Sequence, residues 1–298
     1  MAGEDMARLF RVKPHRKVRL RDFDPAWAGT PEMRKLGTDE LKQEADEMIR
    51  RNLARLADAQ DLLWASDQYA LLVVLQGMDA AGKDGTIKHV MSGVNPQGCQ
   101  VVGFKRPTDE DLEHDFLWRY SRALPRRGQI VIFNRSHYED VLVVRVHPEW
   151  LEREKLSPRP GRSFWEERYH DINQFEKHLA RNGTVILKFF LHTSKKEQKR
   201  RFLERLDNPA KHWKFSESDL AERAYWTEYV EAYEEALSAT STKHAPWHII
   251  PADHKWVARW VISEILSDTI QSLDLEYPKV TKEQRAALLK ARKVLEQE

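Results

Sequence analysis

The stretch between Ala70 and Val90 constrains this chain more than any other. Ala70 to Leu75 is an unbroken apolar run, the pattern of a short strand buried on both faces of a parallel sheet. Gly77 opens a turn after it, and Gly82-Lys83 follow at the G-x-x-x-x-G-K spacing of a phosphate-binding loop. From Thr86 the pattern becomes helical, with Ile87, Val90 and Met91 on one side. Strand, glycine loop and helix start, in that order, aim backbone N–H groups and a positive dipole end at an anion. Gly77 and Gly82 let the backbone curl close to a ligand, and Lys83 brings a point charge. The phosphate loop is therefore expected to comprise Gly77, Ala80, Ala81, Gly82, Lys83, Asp84, Gly85 and Thr86. Asp84 stands where a Ser or Thr usually ligates magnesium, which makes the carboxylate of Asp79 a candidate for metal or acceptor positioning.

Strand and helix patterns alternate along the rest of the chain. Further strands are expected at 100–104, 129–133, 184–191 and 247–250. Helices are expected at about 38–65, 109–124, 136–146, 164–180, from 194 to the Asn208-Pro209 break, 216–237, and on to about 273. Such alternation means an α/β fold, a parallel sheet covered on both faces with its site at the carboxyl ends of the strands. Residues 1–37 read as an irregular arm lying on the body or on a partner subunit, with a frayed tail as the alternative. Residues 38–275 form the main domain, 147–162 a proline-rich surface excursion, and 276–298 a charged tail, helical near its end. The single cysteine, Cys99, excludes an internal disulfide and reads as a small core residue, which fits a reducing cytosol. No stretch has the length and apolarity of a membrane span, and the start carries acids rather than a signal-peptide core. A net charge of +2 supplies no global field toward nucleic acid or membrane, so any anion site must be local.

Two other stretches carry chemistry. At the end of the strand 129–133, Asn134 occupies the place of a second acidic metal ligand, and Arg135 beside it is an anion contact, or else a salt-bridge partner of Glu139 or Asp140. The helix from Ser194 holds Lys195, Lys196, Lys199, Arg200, Arg201 and Arg205. Ser194 and Glu197 form a capping box, while Phe202, Leu203 and Leu206 supply an inward face. Arg201 and Arg205, four apart, place two forks on one side, within reach of one polyanion, and Lys211, Trp213 and Lys214 follow. After a strand of a phosphate-loop fold, this segment (about 194–220) reads as a lid that closes arginines onto phosphates. The histidines show no ligand spacing, and the tryptophans read mainly as core. Phosphoryl transfer to a nucleotide needs no catalytic triad, because an acceptor phosphate with a second pKa of about 6 is already ionised near neutrality.

Gly77-Met78-Asp79-Ala80-Ala81-Gly82-Lys83-Asp84-Gly85-Thr86, Phe133-Asn134-Arg135-Ser136-His137-Tyr138-Glu139-Asp140, and Arg201-Phe202-Leu203-Glu204-Arg205 with Asn208-Pro209 and Trp213-Lys214-Phe215 together resemble the polyphosphate kinase 2 family. The resemblance runs from about residue 10 to 275. It implies a three-layer α/β/α, thymidylate-kinase-like fold that moves the terminal phosphate between inorganic polyphosphate and AMP, ADP or ATP. It implies magnesium, with manganese as the alternative ion, and a dimer or tetramer. By resemblance, Asp79 and Lys83 are the catalytic pair of the loop, Arg135 a phosphate contact, and Arg201 or Arg205 the lid arginine. Lys83, Lys88, Lys195, Lys199 and Arg200 would line the polyphosphate channel. Many members read Asp at the position of Asn134 and Trp-Tyr-Asn-Arg at His137 to Asp140. The version here resembles the subgroup, class III, that phosphorylates both AMP and ADP, which places Asn134 and Glu139 near the nucleotide. An ATP-dependent nucleotide kinase and a non-catalytic polyanion binder are the rivals. The excess of lid cations opposes the first and the glycine loop opposes the second.

Overall fold

The computed structural model describes residues 3–157 and 159–298; residues 1 and 2 of the predicted arm and Pro158 of the predicted excursion lie outside the described residues. Five strands, β1 (Ala70–Gly77), β2 (Cys99–Gly103), β3 (Ile130–Asn134), β4 (Thr184–His192) and β5 (Trp247–Pro251), form one parallel sheet in the order β2-β3-β1-β4-β5. All eight residues of β1 are buried, because its alternate side chains enter two separate cores. Leu71, Val73 and Leu75 face a layer made by the helices Thr38–Ser66, Lys83–Val90 and Lys255–Gln271. Leu72 and Val74 face the helices Glu139–Val146, Phe164–Arg181 and Trp226–Thr240. The apolar run thus has no polar face because it has no wet face.

The expected arm is partly helical and belongs to the body. Its helix Gly3–Phe10 buries Met6 and Phe10 in the first core, while Val12, Val18 and Leu20 enter the second. Between them the backbone crosses the free edge of β5, with Val12 N–H donating to Trp247 O at 2.8 Å and Arg11 bridging to His248. An open strand edge is an aggregation template, and the arm covers this one.

Three other expectations change. The helix expected at 109–124 is two short pieces, Asp109–Leu112 and Trp118–Ser121. Thr108 and Asp111 form the capping box of the first, and Asp115 Oδ1 accepts Leu117 N–H at 2.9 Å, so a side chain competes with the helical ladder between them. The helix expected at 216–237 breaks at Tyr225 into Glu217–Ala224 and Trp226–Thr240. The excursion after His147 contains a helix, Pro148–Arg153, opened by a proline at its first position. Cys99 is half-buried at the start of β2, and burial pushes its thiol up to about 11. No helix among the described residues is long and apolar enough to cross a membrane.

Candidate active site

Parallel strands place all their carboxyl ends on one edge of the sheet, and every landmark from the sequence leaves that edge. After β1 the chain makes a tight turn, Ala81 N–H donating to Met78 O at 3.0 Å, and enters the helix at Lys83. A Cβ at Gly77 would stand 3.0 Å from Leu191 O, so only glycine lets the loop pass β4 this closely. Gly82 (φ 105°) and Ala80 (φ 59°) are left-handed, the backbone of an anion-receiving nest. Lys83 Nζ donates to Gly77 O at 2.5 Å. Burial first, then the Arg135 guanidinium, lower its pKa to about 8, against the opposing pull of Asp79, Glu139 and Asp84.

Arg135 follows β3 in a left-handed conformation (φ 64°), a strain tolerated where the surroundings over-determine it. Its fork spans two carboxylates, Asp79 Oδ1 at 2.6 Å and Glu139 Oε2 at 3.0 Å. Glu139 foremost, and Asp79, hold it firmly charged. The salt bridge to Glu139 and the placement in the cleft are therefore one arrangement, not alternatives. Asn134 Nδ2 donates to Asp84 Oδ1 at 2.8 Å, so the carboxylate sits on the loop and its neutral partner on the strand.

The lid helix, Lys195–Asp207, is built differently from its pattern. Ser194 Oγ accepts Glu197 N–H at 3.1 Å, but the Glu197 carboxylate goes to Arg200 and Arg201, so only half of the expected capping box forms. Its buried face is Gln198, Arg201 and Phe202, while Leu203 and Leu206 are exposed. Arg201, expected as a lid arginine, lies behind the loop and is only 5% exposed, donating to the carbonyls of Ala80, Ala81, Ala252 and Asp253. The two arginines therefore do not share a face toward one polyanion. Arg205 does reach the cleft, held by Asp219 Oδ2 at 3.3 Å. Lys88, Lys195, Lys199 and Arg200 are exposed and line neither cavity described below: Lys195 lies over the Trp226 ring, and Arg200 is taken up by Glu197 and Glu204.

Two cavities meet at the loop. The larger, about 520 Å³, runs over Ala80–Thr86 and Asn134 and is lined by nine lysines and arginines against four carboxylates. Lys105, Lys211, Lys214, Lys255 and Arg259 join Lys83, Arg135, Arg201 and Arg205 there. The smaller, about 300 Å³, reverses the balance, with eight carboxylates against four cations, beside Phe104, Phe116 and Trp150. Asp140 lines it with a pKa raised by burial to about 7, its carboxylate accepting from Tyr120 OH at 2.7 Å. Asp79, Phe104, Lys105, Arg135 and Asp219 line both, so the cavities join at the loop carboxylate and its arginine. Three tryptophans depart from the core reading: Trp213, 78% exposed beside the larger cavity, Trp64, exposed on its helix, and Trp150, which lines the smaller cavity.

Several of these residues escaped the sequence reading. Lys105 after β2, and Lys255 with Arg259 at the start of the helix after β5, carried a usable signal: cations just past the ends of parallel strands. Asp219 carried none, since an acid in a first helical turn reads as a capping residue. Burial, then the Asp79 carboxylate, raise its pKa.

The match with known proteins follows the same elements. Residues 39–278 match the family model described as polyphosphate kinase 2. The chain is 52% identical over 258 residues (86% of this chain, 89% of the relative) to an ADP-polyphosphate phosphotransferase of Rhodopseudomonas palustris. It is 48% identical over 269 residues (90% and 94%) to an AMP/ADP-polyphosphate phosphotransferase of Meiothermus ruber. The crystal structure of polyphosphate kinase 2 from Arthrobacter aurescens superposes with a TM-score of 0.83 at 40% identity, over 96% of both chains.

Proposed function

This chain belongs to the polyphosphate kinase 2 family, and we propose that it moves the terminal phosphate of inorganic polyphosphate onto AMP and ADP, reversibly. The observation that carries this reading is the division of charge between two joined cavities. A long polyanion is drawn to the cavity with nine cations, and repelled by the one with eight carboxylates. A nucleoside fits the second, where carboxylates accept from ribose hydroxyls or a base amine, and aromatic rings offer stacking faces. Each substrate is thereby sorted to its own side, with the reacting phosphates meeting beside Asp79 and Arg135.

Transfer there consists of positioning and charge stabilisation. Lys83 and the loop N–H groups hold the donor's terminal phosphates. Arg135, fixed between Asp79 and Glu139, faces both chambers and stabilises the charge on the moving group, and Arg205 approaches from the lid. Glu139 flanks the acceptor in the smaller cavity, while Asn134, expected near the nucleotide, lines the larger one beside Asp84.

A magnesium ion fits the donor set. Asp79 and Asp84 offer hard oxygens, and magnesium is commonly held by one or two carboxylates plus substrate phosphates. Among the described residues no cluster of three or more His, Cys, Asp or Glu forms a complete cage. Held by Asp79 and Asp84, such an ion would supply positive charge that offsets that of the phosphates. The lone thiol suits a cytoplasmic enzyme, and the family resemblance suggests a homo-oligomer.

The test is product formation from AMP, and then from ADP, with polyphosphate as sole donor, with magnesium and with chelator. ADP and ATP should appear only with the metal, and Lys83→Ala and Asp79→Ala should abolish transfer in folded protein. Transfer from ATP but never from polyphosphate would refute the reading.

A further inference from the structure

We propose that Arg201 and Gln198 are positioning residues that clamp the carbonyl side of the phosphate loop and do not touch the transferring phosphate. A guanidinium has five N–H donors, and all five of Arg201 are spent on protein. Nε donates to Glu197 Oε1 at 2.8 Å; Nη1 to Ala80 O at 2.9 Å and Ala81 O at 2.7 Å; Nη2 to Ala252 O at 2.5 Å and Asp253 O at 3.2 Å. None remains for a phosphate. One turn back on the same buried face, Gln198 Nε2 donates to Asp79 O at 2.9 Å, while its own oxygen accepts from Arg223 at 2.6 Å.

Three successive loop carbonyls, those of residues 79 to 81, are thus drawn toward one helix. A trans peptide points its N–H opposite its C=O, so the clamp turns the N–H groups of Ala80 and Gly82 the other way, toward the cleft that both residues line. The left-handed Ala80 disfavours this shape in an isolated chain, and the clamp supplies what holds it. Arg201 also ties the loop to the exit of β5, so the nest, the lid root and the far side of the sheet move as one piece.

The proposal rests on the polyphosphate reading only for its ligand. The experiment titrates short-chain polyphosphate, without nucleotide, into the full-length wild type, Gln198→Ala, Arg201→Lys and the double variant, with turnover measured in parallel. Each single change should raise the polyphosphate Kd about tenfold, the worth of one lost buried hydrogen bond, and the double by less than the product. kcat at saturating polyphosphate should stay within about threefold of wild type, a loss of uniform binding. An unchanged Kd for Arg201→Lys with kcat down about a thousandfold would overturn the proposal, since that marks a group on the transferring phosphate. An unchanged Kd for Gln198→Ala overturns it too, and decides alone if Arg201→Lys does not fold. If the wild type binds polyphosphate yet transfers nothing, the activity reading fails while the Kd comparison still judges the clamp.

Discussion

Raising the pH should disarm the loop before it harms the fold. With its pKa lowered to about 8, Lys83 in the free protein is roughly nine-tenths charged at pH 7 and one-tenth at pH 9, as each pH unit beyond a pKa shifts the ratio about tenfold. kcat/KM for polyphosphate reports the free enzyme, so it should fall about tenfold between those pH values, with a midpoint near 8. The stability contribution runs the other way. A folded pKa of about 8 against the ordinary 10.5 means the folded protein holds fewer protons across that window, so this group's contribution to stability rises with pH from 8 to 10.5. At about 1.4 kcal/mol per pH unit, the full span amounts to about 3 kcal/mol. The Cys99 thiol, moved by burial up to about 11, and the His248 imidazole, moved down to about 4, stay clear of the window. Asp140, raised by burial to about 7, titrates at its acid end and is common to wild type and Lys83→Arg, so the comparison of the two isolates the alkaline limb. The assay is the pH profile of kcat/KM from 6.5 to 9.5, with thermal melts in the same buffers, on wild type and Lys83→Arg. Arginine keeps its charge throughout, so that variant should lose the alkaline limb, whatever its absolute rate. The same limb in Lys83→Arg, or a wild-type profile flat to pH 9.5, would refute the assignment of the midpoint to Lys83.

Gly77→Ala should destabilise the protein by about 1–3 kcal/mol in urea unfolding and weaken polyphosphate binding, because its Cβ would meet Leu191 O at 3.0 Å and Leu191 Cβ and Ala81 Cβ at 3.1 Å with no flexible neighbour to yield. Glu176→Gln should cost about 3–5 kcal/mol, read by thermal or urea unfolding, since it strips the charge partner from Lys188, whose Nζ lies 2.6 Å from Glu176 Oε2 with both side chains fully buried. Adding Lys188→Met should recover most of that loss. Turnover well below the melting temperature should persist, as neither residue lines the cleft.

The five strands, the glycine turn entering a helix at Lys83 and the place of Arg135 at a strand end were legible along the chain, because each depends on neighbours in sequence. An apolar run buried on both faces, a glycine-lysine spacing and a periodic stripe are local patterns that backbone geometry converts directly into structure. The roles within the basic helix were not legible, and the reason is physical. Periodicity assumes that buried faces are apolar, so it assigned Leu203 and Leu206 inward and Arg201 outward. The fold buries Gln198 and Arg201 instead, because loop carbonyls some 120 positions away in the chain supply acceptors that hydropathy does not register. The same limit hid Asp219 and the arm's wrap around β5. Charge type and spacing are written in one dimension; which carbonyl a donor meets, and so whether an arginine faces substrate or its own protein, is decided only when distant segments pack.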